Sequence, residues 1–138
     1  MNGIDKTKRK MFAFARSHYV NIPQEKIIKA DFALSNSSCH FNAVAAVNAG
    51  RADKVFLVWA GRDEGVIHFI NKKGDKFFDE TWHDDDNDKS CYWIIREVKP
   101  HEFDDIYNLL VATKKALVGM FGNTWQKIRF DKKPHSII

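Results

Sequence analysis

Residues 37–50 read Ser-Ser-Cys-His-Phe-Asn-Ala-Val-Ala-Ala-Val-Asn-Ala-Gly, and this stretch predicts the helix around which the rest of the chain folds. After Cys39 the residues are small and apolar on nearly every side of a helical projection, a pattern typical of a helix that is buried on most of its surface. The preceding serines can cap the first turn. Gly50 is suited to end the helix. We therefore predict a central helix from Cys39 to Ala49.

Four segments that follow this helix are rich in β-branched and aromatic residues, as strands are. They lie at 54–60, 66–71, 76–82 and 91–98. The loops 61–65 and 72–75 are short and carry turn residues, so they predict hairpins between the first three strands. The segment 83–89 contains five consecutive Asp or Asn residues and indicates a solvated loop. The pattern predicts an antiparallel sheet of about four strands.

Helices are predicted on both sides of this region. Asp5 can cap a helix that runs to about Tyr19, and Pro100 opens a second helix at about 101–120. The segment 27–38 fits neither the helical nor the strand period, and 124–138 is expected to add a short strand or to lie on the surface. The expected fold class is α+β, with the helix that begins at Cys39 packed on the sheet.

The overall composition is that of a single globular domain. The chain has 138 residues, of which 44% are hydrophobic, so we expect residues 1–138 to share one core. The net charge of +4 comes from 22 Lys and Arg against 18 Asp and Glu. This mild excess permits nucleic-acid binding without favouring it.

The two cysteines, Cys39 and Cys91, are too few for a disulfide framework and lack the paired spacing of a zinc ribbon. The basic segment 1–10 is not followed by the apolar core of a signal peptide. No run approaches the roughly 20 apolar residues of a membrane helix. The sequence therefore predicts reduced thiols in a cytoplasmic protein that does not enter a membrane.

Three residues in the order Cys39, His68, Asp79 carry the chemistry that the sequence indicates. A cysteine in the first turn of a helix has its thiolate stabilised by the free N–H groups and by the helix dipole. A histidine on one strand and an acid on the next can lie close together across a hairpin. A thiol with a base and an orienting carboxylate is the arrangement needed for nucleophilic catalysis.

Residues 35–82 resemble the transglutaminase-like branch of the papain-like cysteine enzymes. In that family a small residue stands four positions after the cysteine, as in Cys39-His40-Phe41-Asn42-Ala43. An aromatic residue follows the histidine, as in His68-Phe69-Ile70. The acid lies in an Asp-Pro-Thr segment, which Asp79-Glu80-Thr81 resembles with Glu80 in the proline position.

The resemblance implies a papain-like or transglutaminase-like fold with Cys39 as nucleophile, His68 as general base and then acid, and Asp79 as the residue that orients the imidazole. It implies acyl transfer from a peptide or amide substrate through a thioester, as hydrolysis, deamidation or transamidation, without a cofactor. His40 occupies a position where the family carries an aromatic residue. The backbone N–H of Cys39 would be one oxyanion donor, and Asn36 and Gln24 are the upstream candidates for the second.

Three other interpretations stay open at the level of sequence. Cys39 and His68 are also compatible with ordinary core positions. A metal site would draw on Cys39, His40, His68, His83 and Asp84 to Asp86, although their spacing does not match a structural zinc site. A non-catalytic module on the same scaffold would bind protein or nucleic acid through a basic surface with interleaved aromatic residues. The residues of that surface would be Lys6, Lys8, Arg9, Lys10, Trp125, Lys127, Arg129, Phe130, Lys132 and Lys133.

Overall fold

The computed structural model describes residues 3–23, 26–30, 39–61, 65–83 and 91–132. The helices in these ranges are α1 (Gly3–His18), α2 (Cys39–Asn48), α3 (Ile106–Phe121) and α4 (Thr124–Lys132), with a 3₁₀ helix at Pro100–Asp105. The strands are β1 (Val20–Ile22), β2 (Ile27–Ala30), β3 (Lys54–Gly61), β4 (Gly65–Lys73), β5 (Lys76–His83) and β6 (Cys91–Val98). The mixture of one sheet with separate helices confirms the α+β class.

The sheet has six strands in the order β1-β6-β3-β4-β5-β2. Strands β3 to β6 correspond to the four predicted segments and pair antiparallel with one another. β1 adds an antiparallel edge beside β6, and β2 adds a parallel edge beside β5. The expected count of about four strands was therefore wrong, and the papain-like architecture does not fit this sheet. Strands of 3 and 4 residues are too short to show an alternating pattern, which is why the sequence did not reveal them.

The sheet is curled, and its two faces belong to different apolar clusters. One cluster joins residues of both edge strands, Ile22 and Ile27, to Val58, Ile70 and Tyr92 on the inner strands. The other cluster lies under α1, α2 and α3 and includes Trp59, Phe69 and Trp93. Because side chains alternate along a strand, His68 faces away from its neighbours Ile67 and Phe69.

Helix α2 packs mainly on β4 and β5. Its buried residues are Cys39, His40, Ala43 and Ala46, and Val44 and Val47 are partly buried against the same core. The exposed residues, Phe41, Ala45 and Asn48, lie on one side, so the helix is at least partly buried on most of its surface, as predicted. Its small side chains allow the backbone to approach the sheet closely, and Asn71 of β4 donates a hydrogen bond from Nδ2 to the Ala43 carbonyl over 2.9 Å. This contact fixes the start of α2 relative to β4.

The terminal helices differ in detail from the sequence-based prediction. The single helix predicted at 101–120 is a 3₁₀ helix followed by α3, and the segment expected as a strand or surface tail forms α4. Thr7 of α1 donates a hydrogen bond to Oε1 of the buried Gln126 of α4 over 2.8 Å, so the two ends of the chain meet. No helix in the described ranges is long and apolar enough to cross a membrane.

Candidate active site

The structure brings the three predicted residues together. Cys39 is the first residue of α2, His68 lies in the middle of β4, and Asp79 lies in β5. Their exposed fractions are 6%, 2% and 1%. A buried thiol, imidazole and carboxylate in contact form an arrangement in which each group controls the ionisation of the next.

The hairpin between β4 and β5 explains why His68 and Asp79 meet. The strands pair Lys73 with Lys76 and Asn71 with Phe78, so Asp79 directly follows the last paired residue of β5, and His68 lies three residues before the last paired residue of β4. The hairpin therefore brings His68 and Asp79 to the same end of its paired part. Nε2 of His68 lies 2.8 Å from Oδ2 of Asp79, a hydrogen-bonding distance at which the ring N–H donates to the carboxylate.

Two further hydrogen bonds hold the carboxylate of Asp79. The hydroxyl of Tyr92 donates to Oδ2 over 2.7 Å, and the backbone N–H of Thr81 donates to Oδ1 over 2.9 Å. Tyr92 is fully buried on β6. With both of its oxygens engaged, the carboxylate has a fixed orientation toward His68.

Sequence reasoning did not identify Tyr92 as part of the site. Tyr92 pairs with Ala60 of β3, which in turn pairs with Val66 of β4, so β3 separates it from the strand that carries His68. The small side chain of Ala60 and the curl of the sheet let the phenol reach the carboxylate. A buried tyrosine usually finds a partner for its hydroxyl, but the sequence does not indicate which one.

Thr81 connects the strand of the acid to the helix of the thiol. Its hydroxyl accepts a hydrogen bond from Nδ2 of Asn42 over 3.0 Å, while its N–H holds Asp79. Asn42 lies one helical turn after Cys39, on the same helix. The bond therefore links the position of the nucleophile to the position of the carboxylate.

The surroundings of Cys39 favour its thiolate. Burial alone raises the pKa of the thiol, but the ring of His40, the hydrogen bond and positive charge of His68 and the backbone N–H of Phe69 outweigh burial and lower the pKa to about 6. His68 acts on the thiol through its charge as well as through a hydrogen bond. The thiol is thus ionised at neutral pH.

The pKa of His68 moves in the opposite direction. Burial lowers it, but the charge of Asp79 and the hydrogen bond to that carboxylate, together with the Cys39 thiolate, raise it to about 9. Since Nε2 faces Asp79, the other ring nitrogen is left for the sulfur. Between pH values of about 6 and about 9 the pair is therefore a thiolate beside an imidazolium.

Several of the other residues predicted for the site lie outside the part of the chain that the structure describes. Asn36 and Gln24, the candidates for a second oxyanion donor, lie outside the described residues. So do Asp84 to Asp86 and the side chain of His83, which the metal interpretation required. Among the described residues, no group of three or more His, Cys, Asp or Glu side chains is arranged to hold a metal ion.

Comparison with known proteins identifies no significant relative of this chain. No protein-family model matches the chain, and neither the curated proteins nor the solved structures include a significant match. The functional argument therefore depends on the geometry of the site.

Proposed function

We propose that this chain is a cysteine-dependent acyl-transfer enzyme that acts on an amide or peptide substrate through a thioester. The observation that supports this function best is the continuous chain of contacts from Cys39 to His68 to Asp79, with a thiol pKa lowered to about 6. A cysteine that served only as a core residue would have its pKa raised by burial. The resemblance to transglutaminase-like enzymes stays a prediction.

In the proposed first step, the Cys39 thiolate attacks the carbonyl carbon of the substrate. A C–S bond forms, and the electrons of the C=O double bond move to the oxygen, which becomes an oxyanion. The backbone N–H of Cys39, at the positive end of α2, is suited to donate to that oxygen. As the oxyanion collapses, the C–N bond breaks and the imidazolium of His68 gives its proton to the leaving amine.

The second step resolves the thioester. His68, now neutral, takes a proton from water or from an acceptor amine as that nucleophile attacks the thioester carbon. The C–S bond then breaks, and the thiolate and imidazolium are restored. Water gives hydrolysis or deamidation, whereas an amine gives transamidation, and the three described residues perform the same roles in each case.

The proposal is tested by the pH dependence of thiol alkylation. Iodoacetamide should modify Cys39 at neutral pH, with a rate that rises to a plateau through a midpoint near the thiol pKa of about 6. An ordinary cysteine has its midpoint at about 8.5. Mass spectrometry of the modified peptides separates Cys39 from Cys91, which is partly buried and remains reduced.

A matched pair of variants completes this test. Cys91→Ser should keep the rapid phase and Cys39→Ser should lose it. Mixing the protein with p-nitrophenyl acetate should likewise release one equivalent of nitrophenolate rapidly in Cys91→Ser but not in Cys39→Ser, since acylation of the thiol displaces the phenolate. A midpoint near the ordinary thiol value, or no acylation of Cys39 in the unaltered protein, would contradict the proposed function.

A second candidate function is a nucleic-acid-binding module, and one observation favours it. The hydrogen bond between Thr7 and Gln126 brings α1 and α4 together, as the interpretation of a joint basic surface requires. Lys10 and Lys127 are exposed on these helices, and Trp125 is 54% exposed. The side chains of Arg129, Phe130 and Lys132, and the whole of Lys133, lie outside the described residues.

For this second candidate, fluorescently labelled oligodeoxythymidine is the probe. Its affinity should fall steeply as salt is added, with a logarithmic slope of about 0.7 for each phosphate contact. Reversing the charge of Lys10 and Lys127 to Glu should weaken binding, whereas Cys39→Ser should bind as the unaltered protein does. Fluorescence anisotropy measures the affinity, and failure to bind at low salt would exclude this function.

A further inference from the structure

His40 is a buried polar side chain beside the reacting sulfur. It follows Cys39 in the first turn of α2 and is 3% exposed. Its ring lies among aromatic side chains, with centroid distances of 4.2 Å to Phe41, 6.1 Å to Phe69 and 5.9 Å to Tyr107. Phe or Tyr would satisfy these ring contacts equally well, so packing alone does not explain why this residue is a histidine.

Both ring nitrogens of His40 lack a hydrogen-bond partner within the described part of the chain. A buried polar group left unpaired is destabilising, because it gives up its hydrogen bonds to water without replacing them. Buried polar groups without a hydrogen-bond partner are rare in folded proteins. One of the few explanations for them is a functional role in which the substrate supplies the hydrogen-bond partner during the reaction. His40 directly follows Cys39 in the first turn of α2, and its ring lies near enough to the Cys39 sulfur to help lower the pKa of that thiol.

The proposed reaction creates a partner at this place. When the sulfur bonds to the carbonyl carbon, the oxygen of that carbonyl becomes an oxyanion two bonds away from the sulfur. In either neutral tautomer a histidine ring carries one N–H, and the cationic ring carries two. A donor beside the sulfur and excluded from water is therefore suited to stabilise the negative charge that develops there.

We propose that His40 is a catalytic residue that donates a hydrogen bond from its ring to the carbonyl oxygen of the substrate while Cys39 attacks the carbonyl carbon. This inference rests on the proposed acyl-transfer function. It makes His40 the second oxyanion donor, in addition to the backbone N–H of Cys39. The ring keeps its proton throughout, because the hydrogen bond stabilises the oxyanion without proton transfer.

The roles of the two histidines are distinct for a structural reason. His68 is bound to the carboxylate of Asp79, which holds the charged ring in place and suits it to move a proton. His40 has no carboxylate partner in the described residues and lies among Phe41, Phe69 and Tyr107. An apolar pocket of this kind strengthens a hydrogen bond to an oxyanion, since water does not compete for the donor.

Two reagents that attack the same sulfur differently can test this role. Acylation by p-nitrophenyl acetate passes through an oxyanion, whereas alkylation by iodoacetamide is a direct displacement without one. The ratio of the two rate constants cancels any change in the ionised fraction of Cys39. The variant His40→Phe keeps the aromatic packing and removes the donor, so this ratio should fall by about 100-fold. His40→Gln retains an N–H donor, so its ratio should stay within about tenfold of the unaltered protein.

The outcomes separate this inference from the function on which it rests. If the unaltered protein is not acylated at Cys39, the acyl-transfer function fails. If Cys39 is acylated and the ratio is the same in His40→Phe and the unaltered protein, the function stands and the role of His40 is overturned. His40→Leu, with the same expected fall, serves as a second variant without a donor. Circular dichroism and thermal unfolding identify the variants that fold.

Discussion

Replacing His68 with Gln should slow alkylation of Cys39 by about 100-fold at neutral pH. The charge and hydrogen bond of His68 are main reasons why the thiol pKa is about 6 rather than at its ordinary value, and burial acts in the other direction. A thiol with a pKa of about 6 is roughly nine-tenths ionised at neutral pH, whereas one with a pKa of about 9 is roughly one-hundredth ionised. The measurement is the pseudo-first-order rate of iodoacetamide labelling, followed by mass spectrometry of the peptide that contains Cys39.

The pH profile distinguishes loss of the ion pair from a damaged fold. As pH rises through the His68 pKa of about 9, the unaltered protein loses its imidazolium, and the Cys39 thiol of the variant ionises. The two labelling rates should therefore converge in alkaline solution. His101→Gln alters an exposed histidine on the 3₁₀ helix and should leave the profile unchanged. Equal rates for His68→Gln and the unaltered protein at neutral pH would contradict the ion pair.

Turnover should respond to His68→Gln more strongly than alkylation does. General acid and base catalysis by a positioned side chain contributes typically about 10²- to 10⁴-fold. Resolution of the thioester needs His68 to take a proton from the attacking water, in addition to the thiolate that His68 stabilises for the first step. We expect the release of p-nitrophenolate after the first equivalent to fall by at least about 10³-fold in this variant.

The proximity of His68 and Asp79 was predictable because it depends on a local feature. The turn at 72–75 fixes the register of β4 against β5 beside it, and the short separation of His68 and Asp79 along the chain then keeps them near each other across the hairpin. The place of Cys39 at the start of α2 was predictable for a similar reason, since small polar residues precede it and small apolar residues follow it. Local pattern therefore determined the elements that carry the three groups.

Contacts that depend on the curvature of the sheet were not predictable. Tyr92 on β6 reaches Asp79 on β5 past both β3 and β4, and no spacing in the sequence encodes how strongly a sheet curls. The edge strands β1 and β2 escaped prediction because they are short, and α4 because its apolar residues are few. From the sequence, His40 was a departure from a family pattern and a candidate metal ligand, since its burial without a hydrogen-bond partner among the described residues becomes visible only in the folded chain.

Replacing Asp79 with Asn should reduce acylation of Cys39 by p-nitrophenyl acetate by about 10³-fold or more, although the shape of the side chain is preserved. The charge of Asp79 and its hydrogen bond raise the pKa of His68, while burial lowers it. Without that charge the buried ring becomes neutral, so the thiolate loses its counterion. An amide that donates to Nε2 would also favour the wrong tautomer, a change that costs about 10⁴-fold in a serine-protease triad.

Two variants show whether this loss belongs to the carboxylate itself. Tyr92→Phe removes one hydrogen bond to Oδ2 and leaves the charge, so acylation should fall by roughly tenfold, as expected for a hydrogen bond to a charged group. Glu80→Gln neutralises the adjacent acid, which pairs with Arg51 near the surface over 3.1 Å, and should change the rate little. The acylation rate should therefore be lowest in Asp79→Asn, intermediate in Tyr92→Phe and nearly unchanged in Glu80→Gln. This order is expected only if a fixed negative charge next to His68 maintains the ion pair. If Asp79→Asn retained a rate within about fivefold of the unaltered protein while its fold was preserved, His68 would not need the carboxylate, and the thiolate would have to be stabilised by other groups around Cys39.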